Sequence, residues 1–399
     1  MTKIARAETV GSLLRPPYLQ QARQNGRDGK LPQDEVRALE DRAVLEAIEL
    51  QKSVGLDVIT DGEFRRAGWN PATSSQPDAP IAGYGPAEGH RITYMKFWRD
   101  SAGDIVERRL GPGTVIKSPL QLRHDIVTSE YGFLKRHAGF RTKYTFTAPS
   151  YHRHFWHPKH SSSAYPTVEA YLAAVRDFIR QEIVERLLLL GCEYIQLDAP
   201  NYGQAYTDLD VRAAFEAEGH DLDAELAADA ELDNSLFDGI TGVTRAIHIC
   251  RGNGGGGYWS ATGGYEHIAE TMFPRLSNID TLLLEYDTER AGGFEPLEHV
   301  RSNATVVLGL LTTKDGTLED DNEVERRIKE AGEYVPIERL ALSTQCGFSS
   351  SGTGNPLSVE QQFAKLKLVS DVARRIWDEP DEDPGLAIKR RYHDGLTHK

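Results

Sequence analysis

The chain has 399 residues, 39% of them hydrophobic and 27% charged, with a formal net charge of −14 at pH 7. This balance fits a globular fold and excludes the basic surface that nucleic acid or an anionic membrane would require. No apolar run reaches the length of about 18 residues expected of a membrane span, the start MTKIARAETVGSLLRPPYL lacks an apolar leader core, and the three cysteines cannot all pair, so the expectation is a cytoplasmic protein with free thiols.

The stretch ETVGS (8–12) opens as a first strand, followed by a helical region over 17–55 with a break near Pro32, and then by LDVITDGEF (56–64). An irregular Pro- and Gly-rich insertion fills 68–116, with ITYMKFWRD (92–100) reading as a hairpin strand. A helix is expected at 119–138 and a strand at KYTFTAPS (143–150). The strongest helical pattern, 167–190, ends at Gly191 and feeds CEYIQLDAP (192–200). A polar helical stretch leads to AIHICRG (246–252), and a helix at 265–275 precedes TLLLEYD (281–287). TVVLGLLTT (305–313) follows a short helix, a helix at 320–333 precedes LALSTQCG (340–347), and a last helix covers 358–377.

Eight strands alternating with helices predict an α/β fold, a single (β/α)8 TIM-type barrel spanning 1–399 with the insertion after strand 2; an open doubly wound sheet is the other arrangement. The ends of these strands carry Ser12, Glu63, Asp198, His248 with Cys250, Glu285 and Cys346. In a barrel these ends meet on one face, where active sites are built.

The segment AIHICRGNGGGGYWS (246–260) admits three readings. A phosphate loop would need a lysine after the glycines, or a helix starting at the last of them, and neither is present. A flexible loop explains the glycines but not the residues before them. Residues two apart on a strand face the same side, so His248 and Cys250 can share one ion, and Glu285 and Cys346 from later strands would complete a set that suits zinc. Such widely spread ligands need a preformed fold to gather them, which suits chemistry better than scaffolding. Cys192 starts its strand, away from these ends, and reads as a core thiol.

Six ordered motifs carry a resemblance over nearly the whole chain: TVGSLLRP (9–16), TDGEFRR (60–66), QLDAPNY (196–202), HICRGN (248–253), LEYD (284–287) and STQCGFSS (343–350). With them the chain resembles the C-terminal catalytic domain of cobalamin-independent methionine synthase, and more closely its short single-barrel bacterial relatives. The resemblance implies a zinc-dependent methyltransferase that methylates the thiol of homocysteine to form methionine. Its zinc ligands would be His248, Cys250, Glu285 and Cys346. Ser12, Glu63 and Asp198 would hold the amino-acid part of homocysteine, with the carboxylates facing its ammonium group.

The same resemblance leaves the methyl donor as a methyl-folate, a methylated corrinoid protein or another small molecule, because full-length synthases carry an additional N-terminal barrel that helps bind the folate. Lys314 stands near the position of the family histidine that handles the leaving-group proton. The aspartate strand reads DAP where the synthases commonly have DEP. Tyr151 and Trp156, within YHRHFWHPKH (151–160), are candidates for stacking on a flat donor, and the four histidines there are the candidates for a second metal. The alternatives are alkyl transfer to another thiol, as in epoxyalkane:coenzyme M transferase, a zinc-free porphyrinogen decarboxylase-like barrel, or a non-catalytic zinc-binding protein. A homo-oligomer is compatible with the sequence.

Overall fold

A computed structural model of the chain describes residues 3–71, 79–106 and 113–378. The strands are β1 (Ala7–Glu8), β2 (Ile81–Ala87), β3 (Gly113–Leu122), β4 (Tyr144–Thr147), β5 (Tyr194–Asp198), β6 (Thr244–Ile249), β7 (Thr281–Glu285), β8 (Thr305–Leu311) and β9 (Leu340–Thr344). Seven of them form one parallel sheet in the order β1-β9-β8-β7-β6-β5-β4, so that their C-terminal ends lie on one side. This is the curled parallel sheet of a TIM-type fold, covered outside by the connecting helices.

The second predicted strand is reduced to the bridge Ile59–Thr142. The segment nevertheless spans both edges of the sheet. Asp57 N donates to Ala7 O at 2.8 Å, Ile59 N to Arg141 O at 3.1 Å, and Lys143 N to Ile59 O at 3.0 Å. Its ladder stops because the chain turns at once: Gly62 and Glu63 both have positive φ (69° and 57°), and Asp61 Oδ1 accepts the Glu63 N–H at 2.9 Å.

Most helices fall where the periodicity places them. Pro17–Arg27 and Gln33–Val54 flank the break near Pro32, and the second ends at the left-handed Gly55 (φ 84°). The pattern over 167–190 is Val168–Ile179 and Glu185–Leu189 joined by a π segment, Arg180–Val184. The last helix, Val359–Trp377, starts on a capping box of Ser358 and Gln361. Among the described residues no helix is long and apolar enough to cross a membrane.

Three expectations need correction. The helix expected at 119–138 is Ile126–Ala138, because Asp125 caps it by accepting from Thr128 N, and the residues before belong to β3. The hairpin strand expected at 92–100 is reduced to antiparallel bridges at Arg99, to Ile105 and Trp259, because Thr93–Lys96 is a 3-10 turn; the longer antiparallel pair is β2 with β3. The helix expected at 265–275 shrinks to Ala269–Met272 with a 3-10 turn, Phe273–Arg275, because Pro274 cannot continue it.

The larger apolar core packs between sheet and helices. A smaller cluster of Ala5, Val10, Val58, Tyr194, Ala246, Leu283, Val307 and Ala341 takes one residue from each of β5 to β9 and fills the inside of the curl. Beside it lies a buried ion pair, with Lys143 Nζ 2.7 Å from Glu8 Oε2 and 2.8 Å from Gln196 Oε1. Gln196 Nε2 in turn donates to Asp198 Oδ1 at 2.8 Å, which carries the polar network from the strand interior to the C-terminal face.

Candidate metal centre and active site

Strand parity decides the first half of the site. Ala246 belongs to the inner cluster, so His248, two residues on, faces the same way, and Cys250 follows just beyond the end of β6. Leu283 and Glu285 repeat the pattern on β7, and Cys346 lies two residues past β9. The ligand atoms of His248, Cys250, Glu285 and Cys346 all lie within 4.8 Å of one another, and all four residues are buried.

The lone pairs of this group fit a cation. His248 Nδ1 lies 3.2 Å from Leu283 O; a carbonyl only accepts, so Nδ1 carries the proton and the orphaned Nε2 presents its lone pair. Glu285 Oε2 accepts from Arg251 N at 3.0 Å while Oε1 has no partner. The sulfurs of Cys250 and Cys346 stand 3.6 Å apart, and Cys250 Sγ accepts from Gly252 N at 3.2 Å. The sulfur–sulfur contact holds Cys346 well below an ordinary thiol and pushes Cys250 up. Burial raises the Glu285 carboxyl. An imidazole, two sulfurs and a carboxylate at this spacing can hold a metal ion.

The surroundings keep these ligands in place. Arg251 is fully buried and spends its guanidinium on Gly263 O (2.8 Å), the Tyr265 hydroxyl (3.0 Å), Glu285 O (3.1 Å) and Ala291 O (3.4 Å). It thus pins the end of β7 to the loop after β6. Asn253 Nδ2 donates to Gly347 O at 2.6 Å, tying the glycine run to the loop that carries Cys346. Gly252 needs its positive φ (87°), and a Cβ there would meet Ser260 Oγ at 2.1 Å. The glycine run is therefore a close-packed turn beside the ligands.

A cavity opens onto this group, bounded among others by Ser12, Glu63, Tyr151, Asp198, His248, Cys250 and Cys346. Glu63 Oε1 accepts from Thr145 Oγ1 at 2.9 Å, but the buried Oε2 has no partner. Burial raises Glu63 to about 7 and Asp198 to about 6. Glu63 is the one non-glycine residue at positive φ among those described, and backbone strain of this kind concentrates at functional positions. Ser12 Oγ accepts from Ser349 N at 3.3 Å, joining the first loop to the last.

Two candidates do not border this cavity. Trp156 borders a separate cavity and donates its indole N–H to Tyr165 O at 3.0 Å. Lys314 does not line the cavity; its Nζ is 3.6 Å from Asp287 Oδ2. Burial works against ionisation of Asp287, but Lys314 and Arg290 hold it at about 2. His152 and His154 are buried, and desolvation lowers both to about 3. Among the described residues the four histidines of 152–160 form no ligand group of the kind seen at His248.

Sequence reasoning missed Trp69, Met95 and Trp98, which the insertion contributes to the cavity wall. Two of them sit in the segment read as a hairpin strand, where their only signal was an excess of large apolar residues in an irregular region. It also missed Gln196, whose amide links Lys143 to Asp198.

Comparison with known proteins extends the picture. No family model matches the chain. The uncharacterized protein YxjH of Bacillus subtilis is 36% identical over 374 residues, 93% of this chain and 94% of its own length. A solved structure named a "putative vitamin-B12 independent methionine synthase" from Listeria monocytogenes shares 28% identity at a TM-score of 0.70, over 95% of this chain and 100% of its own. The chain belongs to the cobalamin-independent methionine synthase family. Within that family's fold, a B12-independent methionine synthase from Shewanella sp. W3-18-1, solved with selenomethionine, superposes at a TM-score of 0.68 with 19% identity, over 99% of this chain and 100% of its own. More distant sequence relatives, each 23% identical, are the methionine synthase of Pyrococcus horikoshii, over 85% of this chain and 84% of its own, and the 2-hydroxypropyl-CoM lyase of Xanthobacter autotrophicus, over 78% and 79%.

Proposed function

We propose that the chain methylates a thiol, with homocysteine as the acceptor and methionine as the product, at a zinc ion held by His248, Cys250, Glu285 and Cys346. The observation that carries this reading is the shared cavity: the four-ligand group and two buried carboxylates, Glu63 and Asp198, border one space. When bound, zinc supplies the Lewis acidity that strips the proton from a thiol near neutral pH.

The chain's own residues do the rest. Glu63 Oε2 and Asp198 offer paired negative charge to an ammonium group, and Thr145 and Gln196 fix the two carboxylates in position. Because burial favours their protonated forms, an arriving ammonium ion draws them into the charged state and is selected over a neutral amine. Ser12 stands beside the acceptor site at the loop carrying Cys346. Trp69, Trp98 and Tyr151 keep bulk water from the reacting sulfur. Lys314 and Arg290 hold Asp287 ionised behind Glu285, so we assign Lys314 to charge balance at the ligand group. A sulfonate-bearing thiol such as coenzyme M would meet two carboxylates where it needs a cation, which disfavours the alkyl-coenzyme M alternative.

Calorimetry of homocysteine binding in buffers of different ionisation enthalpy tests this reading. About one proton should be released per thiol bound, and product formation should be read by mass from a panel of thiol acceptors. Binding without proton release would mean that the sulfur never reaches the metal.

A further inference from the structure

A further cavity lies beside the turn that carries Glu63, against the helices Pro17–Arg27 and Gln33–Val54, and shares no lining residue with the one at the ligand group. Among the described residues its walls carry four arginines, Arg15, Arg23, Arg27 and Arg65, and a single carboxylate, Glu40. In a chain with a net charge of −14 this is a concentrated excess of positive charge. Close approaches build the walls. A Cβ on Gly26 would lie 2.9 Å from Val36 Cγ2, where the two helices meet, and one on Gly352 would lie 2.7 Å from Ala67 O.

The single carboxylate is already taken. Arg23 Nε and Nη2 donate to Glu40 Oε1 at 3.2 and 2.8 Å, and Arg23 Nη1 donates to Arg66 O at 3.0 Å. Arg15 is only 5% exposed and finds carbonyls instead of a counter-ion: Ser349 O at 2.8 Å, Arg66 O at 3.1 Å and Glu63 O at 3.2 Å. Its buried Nε has no hydrogen-bond partner. Burial, together with Arg23 and Arg66, lowers Arg15 to about 10 despite the nearby Glu63. The Arg65 side chain is also 5% exposed and stacks on Phe133, with Cζ 4.6 Å from the ring centroid. Its Nη2 pairs with Asp41, while the buried Nε and Nη1 donate to nothing and Nη1 stands 3.8 Å from Glu40 Oε2. Arg27 is exposed and donates to Gln24 Oε1 at 2.7 Å. Buried guanidinium groups ordinarily have their charge and their N–H groups satisfied. Here two of them border one cavity with three nitrogens unmatched.

We propose that this cavity is a second binding site, for a small phosphate monoester held by Arg15 and Arg65 with Arg27 at the rim. A phosphate monoester is close to a dianion at neutral pH and offers three strong acceptor oxygens, which answers both the excess charge and the unmatched donors. Arginine is well suited to such a group because its planar fork matches phosphate geometry. A single carboxylate would offset only one of the guanidinium charges. No aromatic ring borders the cavity among the described residues, and the exposed Gln21, Gln33 and Thr353 stand around it, which suits a hydroxylated ligand over one with a flat ring. The site is independent of the reaction assigned to the ligand group.

The test titrates glycerol 3-phosphate into the full zinc-loaded chain by calorimetry, at about pH 7.5 and constant ionic strength in chloride. Glycerol and succinate are the comparisons. Glycerol 3-phosphate should bind at one site per chain, succinate about tenfold more weakly or less, and glycerol not at all. Arg65→Gln should weaken binding about tenfold or more, and Arg27→Gln about twofold or more. Arg326→Gln, on another helix and paired with Glu323 and Glu330, should change nothing. Arg27 is exposed, so its variant keeps the Tm of the unchanged chain without ligand, and its weaker binding then reports on the site and not on folding. The proposal is overturned if saturable binding is absent, if both the Arg65 and Arg27 variants bind as tightly as the unchanged chain, or if succinate binds as well as the ester. Binding that disappears when zinc is removed would place the ester at the metal centre and overturn it equally.

Discussion

Cys250 and Cys346 bring their sulfur atoms to 3.6 Å across 96 residues of sequence. A disulfide would require about 2.05 Å. The pair is instead arranged as two ligands, with Cys346 lowered by Cys250 and Cys250 Sγ accepting from the Gly252 N–H. His248 on β6 and Glu285 at the end of β7 complete the group.

Purified protein should therefore carry close to one equivalent of zinc per chain by elemental analysis. Cys250→Ser and Cys346→Ser should each lose most of it, because a thiolate ligand disappears. His154→Gln should keep it, since that ring lies outside the ligand group. Full zinc retention in both serine variants would contradict the site.

Asp198→Asn should keep zinc while weakening homocysteine binding about 10- to 100-fold, the equivalent of one charge-assisted hydrogen bond. The control is 4-mercaptobutyrate, which has the thiol and carboxylate but no amine. An equal loss for both ligands would remove the ammonium contact from the account.

Glu63 makes the metal-free protein sensitive to pH. Its folded value, raised by burial to about 7 from an ordinary 4.5, means that the folded chain keeps a proton the unfolded chain releases. The stabilisation is thus complete below about pH 4.5 and is lost as pH rises through about 7, with a full size of about 3 kcal/mol. Thermal melts from about pH 5 to about pH 8 should show a falling Tm that is flatter in Glu63→Gln. An equal slope in the variant would assign the effect to other carboxyl groups.

Gly203 sits in the helix after β5, and a Cβ there would lie 2.3 Å from Cys250 O. Gly203→Ala should cost about 1–3 kcal/mol as the backbones part, and zinc affinity should fall with it because the contact is to a ligand residue. An unchanged Tm with unchanged zinc affinity would show that the helix yields without moving Cys250.

How much of this was legible beforehand follows from what each feature depends on. The helices 17–27, 33–54 and 359–377 were readable because their apolar spacing and stop signals are local. Where a cap or a proline overruled the pattern, as at Asp125 and Pro274, the boundaries moved. The second strand was readable as an extended segment, yet its bridge is short because two consecutive positive-φ residues turn the chain at Gly62 and Glu63. Nothing in the composition of LDVITDGEF announces that Glu63 takes a conformation normally left to glycine.

The sequence by itself determined the chemistry on offer: His248 and Cys250 at same-face spacing, a carboxylate closing β7, a thiol after β9, and acids at two other strand ends. Local rules suffice for that, since side-chain type and strand parity are properties of neighbouring residues. Only the tertiary structure decided that the four ligand atoms fall within 4.8 Å of one another, that Lys314 lies behind the ligands against Asp287, and that Trp156 lines another space while Trp69 and Trp98 take the cavity wall. Those outcomes depend on how an irregular insertion and loops far apart in the chain pack over the mouth of the sheet. Packing of that kind is set by contacts between distant residues, which no periodicity encodes.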